Sequence, residues 1–91
     1  MLYTYMTIES DQTIVSHSQI IVENNVEKVI INFERPNRTG DFDNARCELP
    51  SYTWLYNEGY SKEELSFFTE LVEHNAHLFY KYAKCGGLKI A

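Results

Sequence analysis

The sequence predicts an α+β domain: an antiparallel β-meander of about four strands, with one long C-terminal helix packed on one face. Three observations lead there. Apolar residues alternate with a period of two through residues 1–50. From Ser61 onward they recur at helical spacing, and both ends of that helical segment are marked by stop and start residues.

The strands follow in order. Leu2, Thr4, Met6 and Ile8 alternate with Tyr3, Tyr5 and Thr7, residue types that suit a pleated surface. Glu9 to Gln12 is polar and predicts a turn. Thr13 to Val22 is rich in β-branched residues and predicts the second strand, and Asn24-Asn25 predicts a tight turn because Asn tolerates positive φ. Val26 to Glu34 is the third strand, with Val29, Ile31 and Phe33 on one face and Lys28, Asn32 and Glu34 on the other. Pro36 and Gly40 punctuate a loop over Arg35 to Asp41. Phe42 to Leu49 alternates again, with Ala45, Cys47 and Leu49 inward, and Pro50 ends that strand because it cannot donate to a ladder. Residues 51–60, with Tyr52, Trp54, Leu55 and Tyr56, predict an aromatic connector with a helical turn, packed against the sheet.

The helix is expected over 61–85. Ser61 and Glu64 form a capping box, and Tyr60 and Leu65 stand where a hydrophobic staple closes. Glu63 and Glu64 sit at the positive end of the dipole and Lys81 and Lys84 at the negative end. Gly86 is the expected left-handed stop, leaving 86–91 as a tail. The apolar stripe runs through Leu65, Phe68, Leu71, Val72, Ala76, Phe79, Tyr82 and Ala83.

Ninety-one residues with 44% hydrophobic and 14% aromatic content make one ordered domain, 1–91. No apolar run approaches the roughly 18 residues of a membrane span, and no basic-led apolar leader is visible, so a cytoplasmic protein without a membrane partner is expected. Cys47 and Cys85 do not make a disulfide framework and are expected as free thiols. The net charge of −5 is uneven: residues 1–34 carry five acids against Lys28, whereas 35–57 balance Arg35, Arg38 and Arg46 against Asp41, Asp43 and Glu48. An acidic chain repels phosphate backbones, so nucleic acid is disfavoured as a bulk partner.

Several constellations carry candidate chemistry. Arg35, Arg38 and Arg46, near Tyr52 and Trp54, form a candidate phosphate or nucleic-acid patch, set against a charge-balanced loop. Glu70, His74 and His77 share one side of the helix and form a candidate metal site, set against a solvated polar face. Cys47 and His17 are a conceivable nucleophile and base, although Cys47 reads as an inert inward thiol. Asn75 falls within the apolar stripe and is expected to satisfy a nearby polar group there. Walker, GxGxxG, HExxH, GxSxG and CxxC motifs are absent, and no cofactor is implied.

Gly59-Tyr60-Ser61, Glu64-Leu65, Leu71-Val72-Glu73 and Asn75 together resemble the closing helix of a family of small bacterial domains of unknown function, often encoded near toxin–antitoxin-like genes. That resemblance implies a similar β-then-α order. The His- and Pro-rich strand-loop at the front of that family has no counterpart in this chain.

The function expected from these residues is a small non-catalytic interaction or regulatory module acting through protein contacts. The rival class is a nucleic-acid-processing or phosphate-binding enzyme using the Arg35–Arg46 region. Seven Tyr residues favour the former, since Tyr is enriched at interfaces, with Tyr3, Tyr5, Tyr52 and Trp54 as candidate contact residues. Apolar residues pointing both ways from the early strands predict a homodimer at micromolar concentration, through the sheet or its first strand.

Overall fold

The computed structural model describes residues 2–85. It is an antiparallel sheet of six strands with one long C-terminal helix, the α+β arrangement expected, with more strands than the predicted four. The strands are β1 (Tyr3–Ile8), β2 (Thr13–His17), β3 (Ile21–Glu23), β4 (Val26–Pro36), β5 (Phe42–Leu49) and β6 (Thr53–Glu58), followed by α1 (Lys62–Cys85). Their order across the sheet is β1-β2-β4-β5-β6, and β3 pairs with the start of β4.

The additional strands have local causes. The predicted Thr13–Val22 strand breaks at Ser18, whose backbone N–H donates to the Ile30 carbonyl at 2.9 Å while its Oγ accepts the Ile30 N–H at 2.9 Å. The predicted connector contains β6 instead of a helical turn. Its alternation is masked by a bulge: Arg46 pairs with Tyr56 and Cys47 with Trp54, which leaves Leu55 as the extra residue. The hairpin at Asn24-Asn25 forms as expected, with φ of 53° and 65° at the two Asn residues. Pro50 stops β5 as predicted, joined to Leu49 by a cis peptide.

Alternation decides which sheet face the helix covers. Val15, Val29, Ile31, Phe33, Ala45 and Leu49 project to one side and bury against Phe68, Val72, Phe79 and Ala83 of α1. Phe33 stacks on Phe68 with ring centroids 4.3 Å apart, and Trp54 packs beside both while its Nε1 donates to Thr69 Oγ1 at 3.2 Å. Full burial of each such side chain contributes roughly 2 kcal/mol. The capping box forms in both directions: Ser61 N–H donates to Glu64 Oε1 at 3.0 Å, and Glu64 N–H donates to Ser61 Oγ at 3.1 Å. The predicted stop at Gly86 and the tail lie outside the described residues.

Candidate functional site

Arg35 closes the helix-covered side of the sheet at the end of β4. It has the parity of Ile31 and Phe33, so its guanidinium turns toward the start of α1. Nε donates to Asp43 at 2.8 Å, Nη1 to Asp11 at 2.9 Å and to Glu64, and the cation lies 4.3 Å from the centre of the Tyr60 ring. The Gly59 carbonyl accepts from Nη2 at 3.4 Å. Gly59 has φ +104°, and a Cβ there would meet Asp43 Oδ1 at 2.1 Å, so the chain passes this point only as glycine. The cluster shifts every member. Hydrogen bonds from Arg35 and then Asn37 hold Asp43 below the usual carboxylate range. Burial pushes Asp11 and Glu64 up, but Arg35 together with Thr13 (for Asp11) and Ser61 (for Glu64) outweighs it, and both also end below that range. Arg35 itself is raised, chiefly by Glu64. This guanidinium is consumed in tying β4, β5, the β1–β2 turn and α1 together.

The three predicted arginines are therefore not brought together: Arg35 and Arg38 line one open cleft beside Asp11 and Asp43, and Arg46 lines another. Arg38 is exposed in the β4–β5 loop, and Arg46 pairs across to Asn32, three residues along the ladder from the Arg35–Asp43 pair and so on the opposite face. Nor does the structure assemble Glu70, His74 and His77 into a metal-holding group, and among the described residues no cluster of three such side chains does so. All three are exposed, and a spacing of seven residues spreads them along about 10 Å of helix.

His17 and Cys47 are also separated. Both align with Ile31, from opposite sides, so β4 lies between them and their backbones are about 10 Å apart. His17 is buried between the Tyr3 and Phe79 rings, where Nδ1 donates to the Ser18 carbonyl at 2.9 Å, and Nε2 has no partner among the described residues. Burial pushes the Cys47 thiol up to about 11, with the charge of Glu48 adding to it. Asn75 accepts from the Tyr5 hydroxyl at 2.9 Å and donates to the Leu71 carbonyl at 2.7 Å.

The candidate contact residues sit largely within the fold. Tyr3 and Tyr5 face the helix side of the sheet, with Tyr5 4.5 Å from the Phe79 ring. Tyr52 and Trp54 are half-buried and pack against the core. Their rings cover the edges of one small core, which accounts for much of the aromatic content.

No described element covers the other face. Strand register lays its side chains out in rows: Thr4, Ser16, Asn32, Arg46 and Tyr56 form one, and Thr7, Ile14, Glu34, Asn44 and Glu58 the next. Asn32 is only 5% exposed and serves as the anchor of this surface. Its Oδ1 accepts from Asn44 Nδ2 at 3.1 Å and from Arg46 Nε at 3.2 Å. A guanidinium can only donate, which fixes the orientation of both amides. Arg46 thereby stands pinned at its base, and among the described residues no carboxylate lies within ion-pair distance of it. Asn44, Arg46 and Tyr56 line an open cleft of about 440 Å³. The Tyr56 hydroxyl donates to Glu58, which pushes its own ionisation up. Lys28 and Glu48, on the same face, pair with each other at 3.6 Å. Asn32, Asn44 and Tyr56 carry no motif; only the pairing register, which sets them beside Arg46, marks them. No family model matches this chain, and no curated protein or solved structure matches it.

Proposed function

We propose that this chain is a non-catalytic interaction module of the cytoplasm that docks a protein partner on the uncovered face of its sheet, around Arg46 and Tyr56. The observation that carries this reading is the state of Arg46. It is held at its base by a buried amide and has no acidic partner among the described residues, and it stands beside a Tyr ring that is 47% exposed. Arg and Tyr in that setting are the residue types that dominate binding energy at protein interfaces. Free cysteines fit a reducing compartment, and among the described residues no helix is long and apolar enough to cross a membrane.

The rival enzyme reading draws less support. Arg35 is saturated by carboxylates, and Arg46 points away from it across the sheet. Strand addition at the sheet edges is also less favoured, because β1 and β6 each carry a bulge, at Tyr5 and Leu55, a device that blunts edges.

Affinity capture from the native host tests the docking face. Partners held by the wild-type chain should be lost by Arg46→Glu and Tyr56→Ser baits and kept by a Phe67→Ser bait on the helix side. An unchanged partner set with the first two variants would overturn the reading.

A further inference from the structure

We infer that the uncovered face is where two copies of this chain meet, sheet against sheet, about a two-fold axis that runs across the strands between the Asn32–Arg46 row and the Glu34–Asn44 row. The inference rests on the docking reading above and names the occupant of that face as a second copy.

The charge pattern selects this partner. Of the charged groups on the face, Lys28 and Glu48 already pair with each other, and Glu58 accepts from Tyr56. Among the described residues Arg46, Glu34 and Glu58 remain without an ion pair, one cation against two carboxylates. A face that carries its own complement, displaced by one row, suits an isologous contact. Rotation about the stated axis lays each row on its neighbour while keeping the strand order. Arg46 on β5 then lies over Asn44 of the second copy. Glu34 and Glu58 of the second copy flank that Asn from β4 and β6, about 5 Å to either side. The same contact recurs in reverse, so two guanidinium groups each gain two carboxylates.

The apolar groups follow. Ile30, one row beyond Asn32, falls opposite Pro36 of the second copy on the same strand. Near-aligned strands are also the usual way that two sheets pack face to face.

Size sets the strength. Five strands spaced about 4.8 Å apart and about 20 Å long present roughly 500 Å² per copy, or about 1,000 Å² in all. That lies at the low end for specific contacts, so the association is weak, in the micromolar range or above.

Sedimentation equilibrium of the intact chain tests this. The wild-type mass should rise from 10.7 kDa toward twice that value between micromolar and millimolar concentration. Arg46→Glu, which sets like charges against each other, should stay monomeric across that range while keeping its circular dichroism spectrum. Adding Glu34→Arg to Arg46→Glu exchanges the two signs and should restore the association to within about ten-fold of wild type. A wild-type chain that remains monomeric to millimolar concentration would overturn the inference, as would a dimer indifferent to Arg46→Glu or a charge exchange that restores nothing. Should the wild type prove monomeric while Arg46→Glu still loses its captured partners, the second copy is refuted and the docking face stands.

Discussion

Arg35 and Arg46 leave adjacent strands of one sheet toward opposite faces. Arg35 ends on the helix side with its cation 4.3 Å from the Tyr60 ring, and Arg46 ends on the uncovered side with its Nε 3.2 Å from Asn32. That opposition gives these two of the chain's three arginines different jobs. One is spent on holding the fold, and the other is left facing out.

Replacing Arg35 by Gln should therefore destabilise the domain without touching the docking face. It removes the only cation paired with Asp11, Asp43 and Glu64 among the described residues and leaves their charges facing one another. Breaking a partly buried network of this kind costs about 3 kcal/mol. Arg35→Lys keeps the charge but loses the fork that reaches several carboxylates, and should fall between the two. Urea melts measure both. A Gln variant with an unshifted midpoint would mean that the cluster contributes nothing net.

The same cluster sets a response to acid. Asp11, Asp43 and Glu64 are each held below their ordinary values, so the folded chain binds their protons less readily than the unfolded chain does. Their contribution is complete above the ordinary carboxylate range, at about pH 4, and disappears as pH falls through the lower folded values. Stability should be flat in this respect from pH 5 to 8 and decline below about pH 4. The decline should be shallower in Arg35→Gln, and parallel acid profiles for the two proteins would contradict the assignment.

Local signals made the helix legible in the sequence, and distance hid the rest. The capping box is written within three residues, and the Asn24-Asn25 turn within two, so both read directly. The apolar alternation of β4 and β5 likewise sorted their side chains into two faces. Apolar residues pointing both ways from the early strands hid which face the helix covers, and only its packing shows that. β6 was obscured because the bulge at Leu55 breaks the period of two that a strand displays. The Arg35 cluster joins side chains 24 and 29 positions apart, a juxtaposition that only pairing and helix packing create. Grouping the three arginines by nearness in sequence failed for the same reason: Arg35 and Arg46 differ in strand parity. The open face needed the register as well, since nothing along the chain sets Tyr56 beside Arg46.

At the helix start, Ser61→Ala should cost about 1 kcal/mol, the usual worth of a hydroxyl cap. The hydroxyl accepts the Glu64 N–H at 3.1 Å, and that bond also steadies a carboxylate which Arg35 needs. The loss should therefore shrink in an Arg35→Gln background, where Glu64 no longer bridges to β4. Strict additivity in a double-mutant cycle would separate the cap from the cluster.

The thiols should differ in reactivity because they differ in access and in ionisation. Cys85 is exposed on the last turn of α1, whereas Cys47 is fully buried on β5 under the helix. Burial raises the Cys47 thiol to about 11, so at pH 7.5 the nucleophilic thiolate is scarce even when a reagent arrives. Maleimide should modify Cys85 first, with Cys47 slower by about 100-fold or more, its rate limited by opening of the sheet–helix core. Sub-denaturing urea should then accelerate Cys47 strongly and leave Cys85 nearly unchanged, and Arg35→Gln should accelerate Cys47 without urea. Mass spectrometry of timed, quenched samples reads both sites. Equal labelling of the two cysteines in the native protein would show that β5 is not sealed by α1.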